Sequence, residues 1–151
     1  MIDAELRVKL LIANRPWEHE EQHSKEWVDA DTGYVCTIWR HPTLGHLCGY
    51  VGIPKDHPCY GMDYNDMSDL VDVHGGLTYD GKDTDRGLKV FGFDAGHAGD
   101  FSPKLVLTML GQGLESYVRM DINEVYRTWA YMEEQVLGLA KQLKQQSGEL
   151  K

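Results

Sequence analysis

The chain has 151 residues, 42% hydrophobic and 26% charged, with a formal net charge of −9. That length suits one domain, 1–151, able to bury its own core, and the acidic balance excludes an extended nucleic-acid interface, which needs clustered lysine and arginine. A small phosphorylated or nucleotide ligand, which needs only a few local donors, is compatible with it. No apolar run approaches the roughly 20 residues that span a bilayer, and Met1-Ile2-Asp3-Ala4-Glu5 lacks the basic and apolar regions of a signal peptide. A cytoplasmic protein without a membrane partner is expected, and a homo-oligomer is compatible with the sequence.

Between Ala4 and Asn14, the spacing of Leu6, Val8, Leu10, Leu11 and Ile12 fits a helix better than a strand. Glu18 to Asp29 is rich in charge around Trp27 and Val28 and predicts a second, short helix, with His19 and His23 four apart on its exposed side. After Thr32-Gly33, the β-branched and aromatic run Tyr34 to Trp39 predicts a strand. His41-Pro42-Thr43-Leu44-Gly45 reads as a turn and His46 to Ile53 as the returning strand of a β-hairpin. The irregular stretch Pro54 to Asp69, with Tyr60, Met62 and Tyr64, is a candidate lid or wall.

Leu70 to Tyr79 is expected to be a third strand, Asp80-Gly81-Lys82-Asp83 a turn, and Leu88 to Phe93 a fourth strand. In the last element Val125, Trp129, Met132, Val136, Leu139 and Leu143 recur at three-and-four spacing, which lines one face of a helix. Asp121 or Asn123 is the candidate cap, and Lys141 and Lys144 suit its last turn. Strands followed by a terminal helix, without βαβ alternation, give an α+β fold: an antiparallel sheet of about four strands against a long C-terminal helix.

The three cysteines, Cys36, Cys48 and Cys59, contain no C-x-x-C pair and read as small buried hydrophobes. A zinc site on His57 and Cys59 would lack the second half of any usual spacing. His41, His46 and His57 read as turn or surface residues.

Two segments stand out, Val73-His74-Gly75-Gly76-Leu77-Thr78 and Asp94-Ala95-Gly96-His97-Ala98-Gly99-Asp100. Each has a histidine followed by glycine near an expected strand end, with an aspartate just before it. Were Asp72 and His74 on one strand, period two would put them on one face. The glycines free the main chain to bend so that its N–H groups can approach an anion, and hydroxyls follow at Thr78, Tyr79 and Ser102. Imidazole titrates near neutral pH, so two histidines brought together suit acid–base work.

Three chemistries are open. His74 and His97 could serve as an acid–base pair on a phosphodiester, with Thr78 and Ser102 stabilising charge. The pattern resembles that of two-histidine phosphoesterases, although here the hydroxyls lie four or five residues from their histidines rather than two. Alternatively Asp72, His74, Asp94, His97 and Asp100 could form a divalent-metal centre, since histidine with carboxylate suits zinc, manganese or iron. Or the same residues bind a ligand without turning it over, with Gly75, Gly76, Tyr79, Asp94, Gly99, Asp100 and Tyr60 lining the site. Tyr60, Tyr64, Tyr79, Phe91 and Phe93 are candidate base-stacking faces.

With Gly49-Tyr50-Val51-Gly52-Ile53-Pro54, His57-Pro58, Asp72-Val73-His74-Gly75-Gly76-Leu77-Thr78-Tyr79, Phe91-Gly92-Phe93-Asp94-Ala95-Gly96-His97-Ala98-Gly99-Asp100 and the stretch from Tyr126 to Leu143, the chain resembles a family of small proteins found largely in bacteriophage genomes. The resemblance covers most of the chain from Tyr34 onward. It implies a phage product in the cytosol of an infected bacterium, a setting in which small proteins counter host defences that signal through modified nucleotides. The expectation is a phosphodiesterase or nucleotide hydrolase acting on such a messenger. Its alternatives are a protein that sequesters the messenger and a phage protein that binds a host protein.

Overall fold

The computed structural model describes residues 23–42, 45–96 and 127–148. Five strands form one antiparallel sheet: β1 (Ser24–Val28), β2 (Val35–Arg40), β3 (Leu47–Ile53), β4 (Tyr79–Asp83) and β5 (Leu88–Asp94), in the order β1-β2-β3-β5-β4. One helical turn, α1 (Tyr64–Met67), lies between β3 and β4, and the helix α2 (Trp129–Gln146) follows β5 in the order of described elements. The expected α+β architecture is the one observed, with one strand more than anticipated. Among the described residues no helix is long and apolar enough to cross a membrane.

Alternation explains which face of the sheet meets α2. Cys36 and Ile38 on β2, Leu47, Val51 and Ile53 on β3, and Phe91 and Phe93 on β5 share one face through the strand register. They are buried together with Met132, Val136, Leu139 and Leu143 of α2, members of the stripe that the three-and-four spacing predicts, and with Ala140 beside them. Gly49 sits where helix and sheet come closest: a Cβ there would lie 2.6 Å from Val136 and 2.7 Å from the Phe93 ring. Only glycine lets the two layers meet at this point.

Several expectations need correcting. The described part of the charged stretch before Thr32 is strand β1 rather than helix, because its backbone pairs with β2 from Ser24↔Trp39 to Val28↔Val35. His23 is not on a helix either; its Nδ1 accepts a hydrogen bond from Arg40 Nε at 3.0 Å. Asp80 to Asp83 is not a turn but most of β4, paired with β5; the reversal comes four residues later, where Arg86 closes onto Asp83. The helix is capped by Thr128, whose hydroxyl accepts from Tyr131 N–H. Asp121 and Asn123, like Val125, His19 and the 4–14 segment, lie outside the described residues.

The irregular stretch after β3 is part of the core rather than a lid, since Cys59 and Met67 are buried in it. Its anchor is His57, buried rather than superficial. Nε2 of His57 donates to the Leu143 carbonyl at 2.7 Å and Nδ1 accepts from Cys59 N–H at 2.9 Å. With both ring nitrogens committed, His57 caps the end of α2 and is no zinc ligand. Asp80 ties the same stretch to the sheet, accepting from Tyr64 N–H and from the buried Lys89 ammonium.

The largest correction concerns residues 70–78, which form no strand. Their period-two pattern is real: Val71 and Val73 are buried while Asp72 between them is exposed. Among the described residues no strand pairs with this stretch. The place of one is taken by glutamines of α2: Gln146 Nε2 donates to Leu70 O, Gln142 accepts from Asp72 N–H at 2.6 Å and donates to Asp72 O at 2.7 Å, and Gln135 accepts from His74 N–H at 2.9 Å. These glutamines fall on one face of a 3.6-residue helix beside its apolar stripe. They act as a side-chain ladder for an extended strap.

Candidate functional site

The strap delivers His74 to the N-terminal part of α2. Its ring is half-buried; Nδ1 is 2.7 Å from the Tyr131 hydroxyl, and the two rings meet edge-on at 5.3 Å and 89°. The Arg127 guanidinium lies over the other partner, 4.9 Å from the Tyr131 ring centroid. Ring orientation at His74 is therefore held by a phenol whose own ring lies under an arginine.

Gly75 and Gly76 then adopt φ of 68° and 77°, the left-handed region that other residues rarely enter. Gly76 N–H closes the turn onto Val73 O at 2.9 Å. This double reversal swings the chain off the helix and onto the sheet, where Thr78 N–H donates to Gly92 O and β4 begins. Asp72 and His74 are consequently not neighbours on a strand face; the Asp72 side chain is exposed on the strap.

The second His-Gly segment begins as β5 ends. The Thr78 hydroxyl donates to Asp94 Oδ2 at 3.2 Å, while Asp94 Oδ1 accepts from Gly96 N–H at 2.8 Å. The tail of the first segment and the head of the second are thus hydrogen-bonded to each other. Gly96 backs onto His46; a Cβ at Gly96 would be 2.8 Å from that imidazole. His46, expected at the surface, is buried and stacked on His41 at 5.0 Å, with Trp39 next to His41 at 5.8 Å. His97, Gly99, Asp100 and Ser102 lie outside the described residues.

No family model, curated protein or solved structure matches the chain.

On the sheet face opposite α2, the corner is floored by glycine and walled by tyrosine. Tyr50 lies across Gly92 and Tyr79 reaches over Gly81, and the two phenols meet edge to face at 5.7 Å. Tyr79 is 49% exposed, so its ring is available to a ligand. Burial pushes the Tyr50 hydroxyl up to about 12, helped by its Cys48, Tyr79 and Asp94 neighbours. Burial, then Asp94, pushes the Cys48 thiol up to about 11. Both groups stay neutral at physiological pH, and Asp94 supplies the local charge. The Asp94 carboxylate makes this corner one of hydrogen-bond acceptors, whereas the Arg127 guanidinium lies over Tyr131, the partner of His74.

Of the other sequence candidates, Tyr60 is covered by the Lys82 ammonium, 5.7 Å from its ring, toward the far end of β4. Tyr64 is partly exposed on α1, whose N-terminal amide is held by Asp80. Phe91 and Phe93 cannot stack on a base, because both are fully buried against α2. Among the described residues no group of three or more His, Cys, Asp or Glu side chains is placed to hold a metal ion; two of the five metal candidates, His97 and Asp100, are not among those residues. Sequence reasoning missed Tyr131, Arg127 and the glutamines of α2. A signal for them existed in Tyr131 and Gln135, one helical turn apart and flanking the apolar stripe.

Proposed function

We propose that the protein recognises a small phosphorylated ligand of the nucleotide class where the two His-Gly segments meet, and that it cleaves a phosphodiester there with His74 and His97 as the proton-carrying pair. The observation that carries this reading is the Thr78–Asp94 hydrogen bond, which makes two segments 16 residues apart one composite corner. Beside Thr78 the Tyr79 ring is half exposed on the sheet face opposite α2, and four residues before Thr78 an imidazole is held through Nδ1 against α2. Two proton-carrying groups are what in-line phosphoryl displacement needs: one takes the proton of the attacking oxygen, the other donates to the departing one. In the setting implied by the resemblance to phage proteins, the ligand would be a nucleotide messenger of host defence.

A second reading, capture without cleavage, is favoured by Tyr79 itself. Base–aromatic stacking contributes about 1–3 kcal/mol per base, enough to hold a messenger without chemistry. One experiment separates the two. The full chain is incubated with cyclic dinucleotides and ADP-ribose-type nucleotides, with and without divalent metal, and the mixtures are resolved by chromatography before and after denaturation. Product that disappears in His74→Gln supports cleavage, and intact nucleotide released only on denaturation supports capture. A chain that neither binds nor alters any member of the panel refutes both.

A further inference from the structure

We propose that the outer edge of β1 is a docking site where an extended, basic segment of a partner protein adds to the sheet as a further strand. Of the two sheet edges, β4 is flanked by its own chain: Tyr64 N–H is fastened to Asp80, and the Lys82 ammonium lies 5.7 Å from the Tyr60 ring. At the other edge, among the described residues, no strand lies beyond β1.

The pairing of β1 decides which of its main-chain groups face outward. Arg40 N–H donates to His23 O at 2.8 Å, and Asp29 N–H donates to Tyr34 O at 2.9 Å. Bonded positions alternate in an antiparallel pair, so residues 23, 25, 27 and 29 bond to β2. The N–H and C=O groups of Ser24, Glu26 and Val28 then point away from it. A row of this kind is a template for an incoming strand, which natural edges repel with charged side chains. Here both charges of β1 are drawn onto the faces of the sheet. The Lys25 ammonium lies 5.1 Å from the Trp27 ring centroid, and both Glu26 oxygens accept from Arg86. Val28, at the end of the strand, is 65% exposed.

Beside this edge is a cleft of about 470 Å3, walled by Asp29, Asp31 and Thr32 of the β1–β2 turn and by Leu137, Gly138 and Lys141 of α2. Trp27 packs against the core under α2, and Asp29, two residues on, shares its face. Side chains that an added strand turns to this face beside Asp29 therefore enter the cleft. The turn side of the cleft is acidic. Asp29 is held through Oδ2 by the Thr32 N–H and hydroxyl, and Asp31 is exposed. Leu137 offers a partly exposed apolar surface, and a Cβ at Gly138 would meet nothing within 4 Å. A lysine or arginine directed to the turn meets two carboxylates, with its stem over Leu137. The net charge of −9 also favours a basic partner and disfavours a second copy, which would set like charge against like. In this mode of recognition main-chain bonds supply affinity and side-chain pockets supply selectivity. Neither His-Gly segment is involved, so the inference stands apart from the nucleotide reading.

The test titrates the full chain with an end-capped peptide of about six residues, the length of an ordinary strand, in which arginine and valine alternate. Amide 15N–1H spectra and hydrogen exchange read the result. The amides of Ser24, Glu26 and Val28 should shift and gain protection, while those of Lys25 and Trp27, directed at β2, change less. The same peptide with its main-chain nitrogens methylated should not bind. Asp31→Asn should weaken binding roughly 2- to 5-fold, the loss of an exposed ion pair, and Lys141→Glu should strengthen it. Val28→Pro removes one outward N–H and spares the bonds to β2, so it should remove most of the affinity. Spectra that otherwise overlay show that each variant is folded. No shift at millimolar peptide, shifts without the alternation along β1, or binding that N-methylation leaves intact overturns the inference. Equal binding of a peptide with glutamate in place of arginine overturns the basic partner. Protection of the same three amides when the chain alone is concentrated, with sedimentation as a dimer, overturns it in favour of a second copy.

Discussion

Gly49→Ala tests how tightly the helix lies on the sheet. The added Cβ would stand 2.6 Å from Val136 Cγ2 and 2.7 and 2.8 Å from two atoms of the Phe93 ring, against an ordinary carbon–carbon contact of about 3.5–4.0 Å. Val136 and Phe93 are themselves buried without slack, so helix and sheet must part by roughly 1 Å or a ring must leave its rotamer. Overpacking of this kind costs about 1–3 kcal/mol, and two opposed contacts place the expectation near the upper figure. For a chain of this size that lowers the melting temperature by roughly 6–12 °C.

Val136→Ala alone loses about 1.5–2.5 kcal/mol by removing buried methyl groups. In the double variant it also relieves one of the two clashes, so the combined loss should fall short of the sum by about 1 kcal/mol. Phe93 remains in place, so rescue is partial. Urea unfolding of the four proteins, followed by tryptophan fluorescence, completes the cycle. Strict additivity, or a neutral Gly49→Ala, would refute the close approach.

Acid stability offers a second test. The Arg86 guanidinium holds Glu26 and Asp83 below their usual range, and Tyr64 N–H with the Lys89 ammonium does the same for Asp80. Groups depressed on folding contribute stability above their unfolded values, near 4.5 for Glu26 and 3.8 for the aspartates, and that contribution is lost as pH falls through the folded values. Thermal melts at low salt should therefore show an acid limb that Arg86→Ala and Lys89→Met each flatten; limbs of unchanged slope would count against these pairs. Burial pushes the Cys36 thiol up to about 12 and also raises Cys48 and Cys59, so a colourimetric thiol reagent should label none of the three in the native protein and all three after denaturation. Rapid labelling of the folded chain would contradict that burial. Tyr79→Ala should weaken nucleotide binding roughly 5- to 150-fold, the loss of one stacked base, with little change in melting temperature because the ring is half exposed; calorimetry that finds unaltered affinity would remove Tyr79 from the site.

The hairpin Val35–Ile53, the strand ending at Asp94 and the helix with its buried stripe were legible because each carries its own periodicity and is long enough to show it. β1 was obscured by charge: Lys25 and Glu26 sit on an edge strand, where polar residues are tolerated on both faces. β4 was hidden because Asp80-Gly81-Lys82-Asp83 has turn composition, yet Asp80 is drawn into the sheet by Lys89. The strap misled differently. Its alternation reported true burial of Val71 and Val73, but alternation does not say whether the hydrogen-bonding partner is a strand or a row of side chains. The candidate site was legible as two segments; their junction at Thr78 and Asp94 required β4 and β5 to be paired. Tyr131, and Arg127 over it, lie 57 and 53 residues beyond His74 in sequence, so the spacing of Tyr131 and Gln135 marks a helix face beside the apolar stripe without saying what meets it.

A strap gripped by glutamines has a consequence for variation. The amides of Gln135, Gln142 and Gln146 hold main-chain atoms of residues 70, 72 and 74, and main-chain atoms are the same whatever residue supplies them. Leu70 and Asp72 can change identity without loosening the grip, provided Val71 and Val73 keep the register. The outward chemistry beside His74 is thereby uncoupled from folding. A lineage pressed to follow a changing ligand could rewrite these positions one at a time, with the three glutamines as the fixed hinge-pins on which every version hangs.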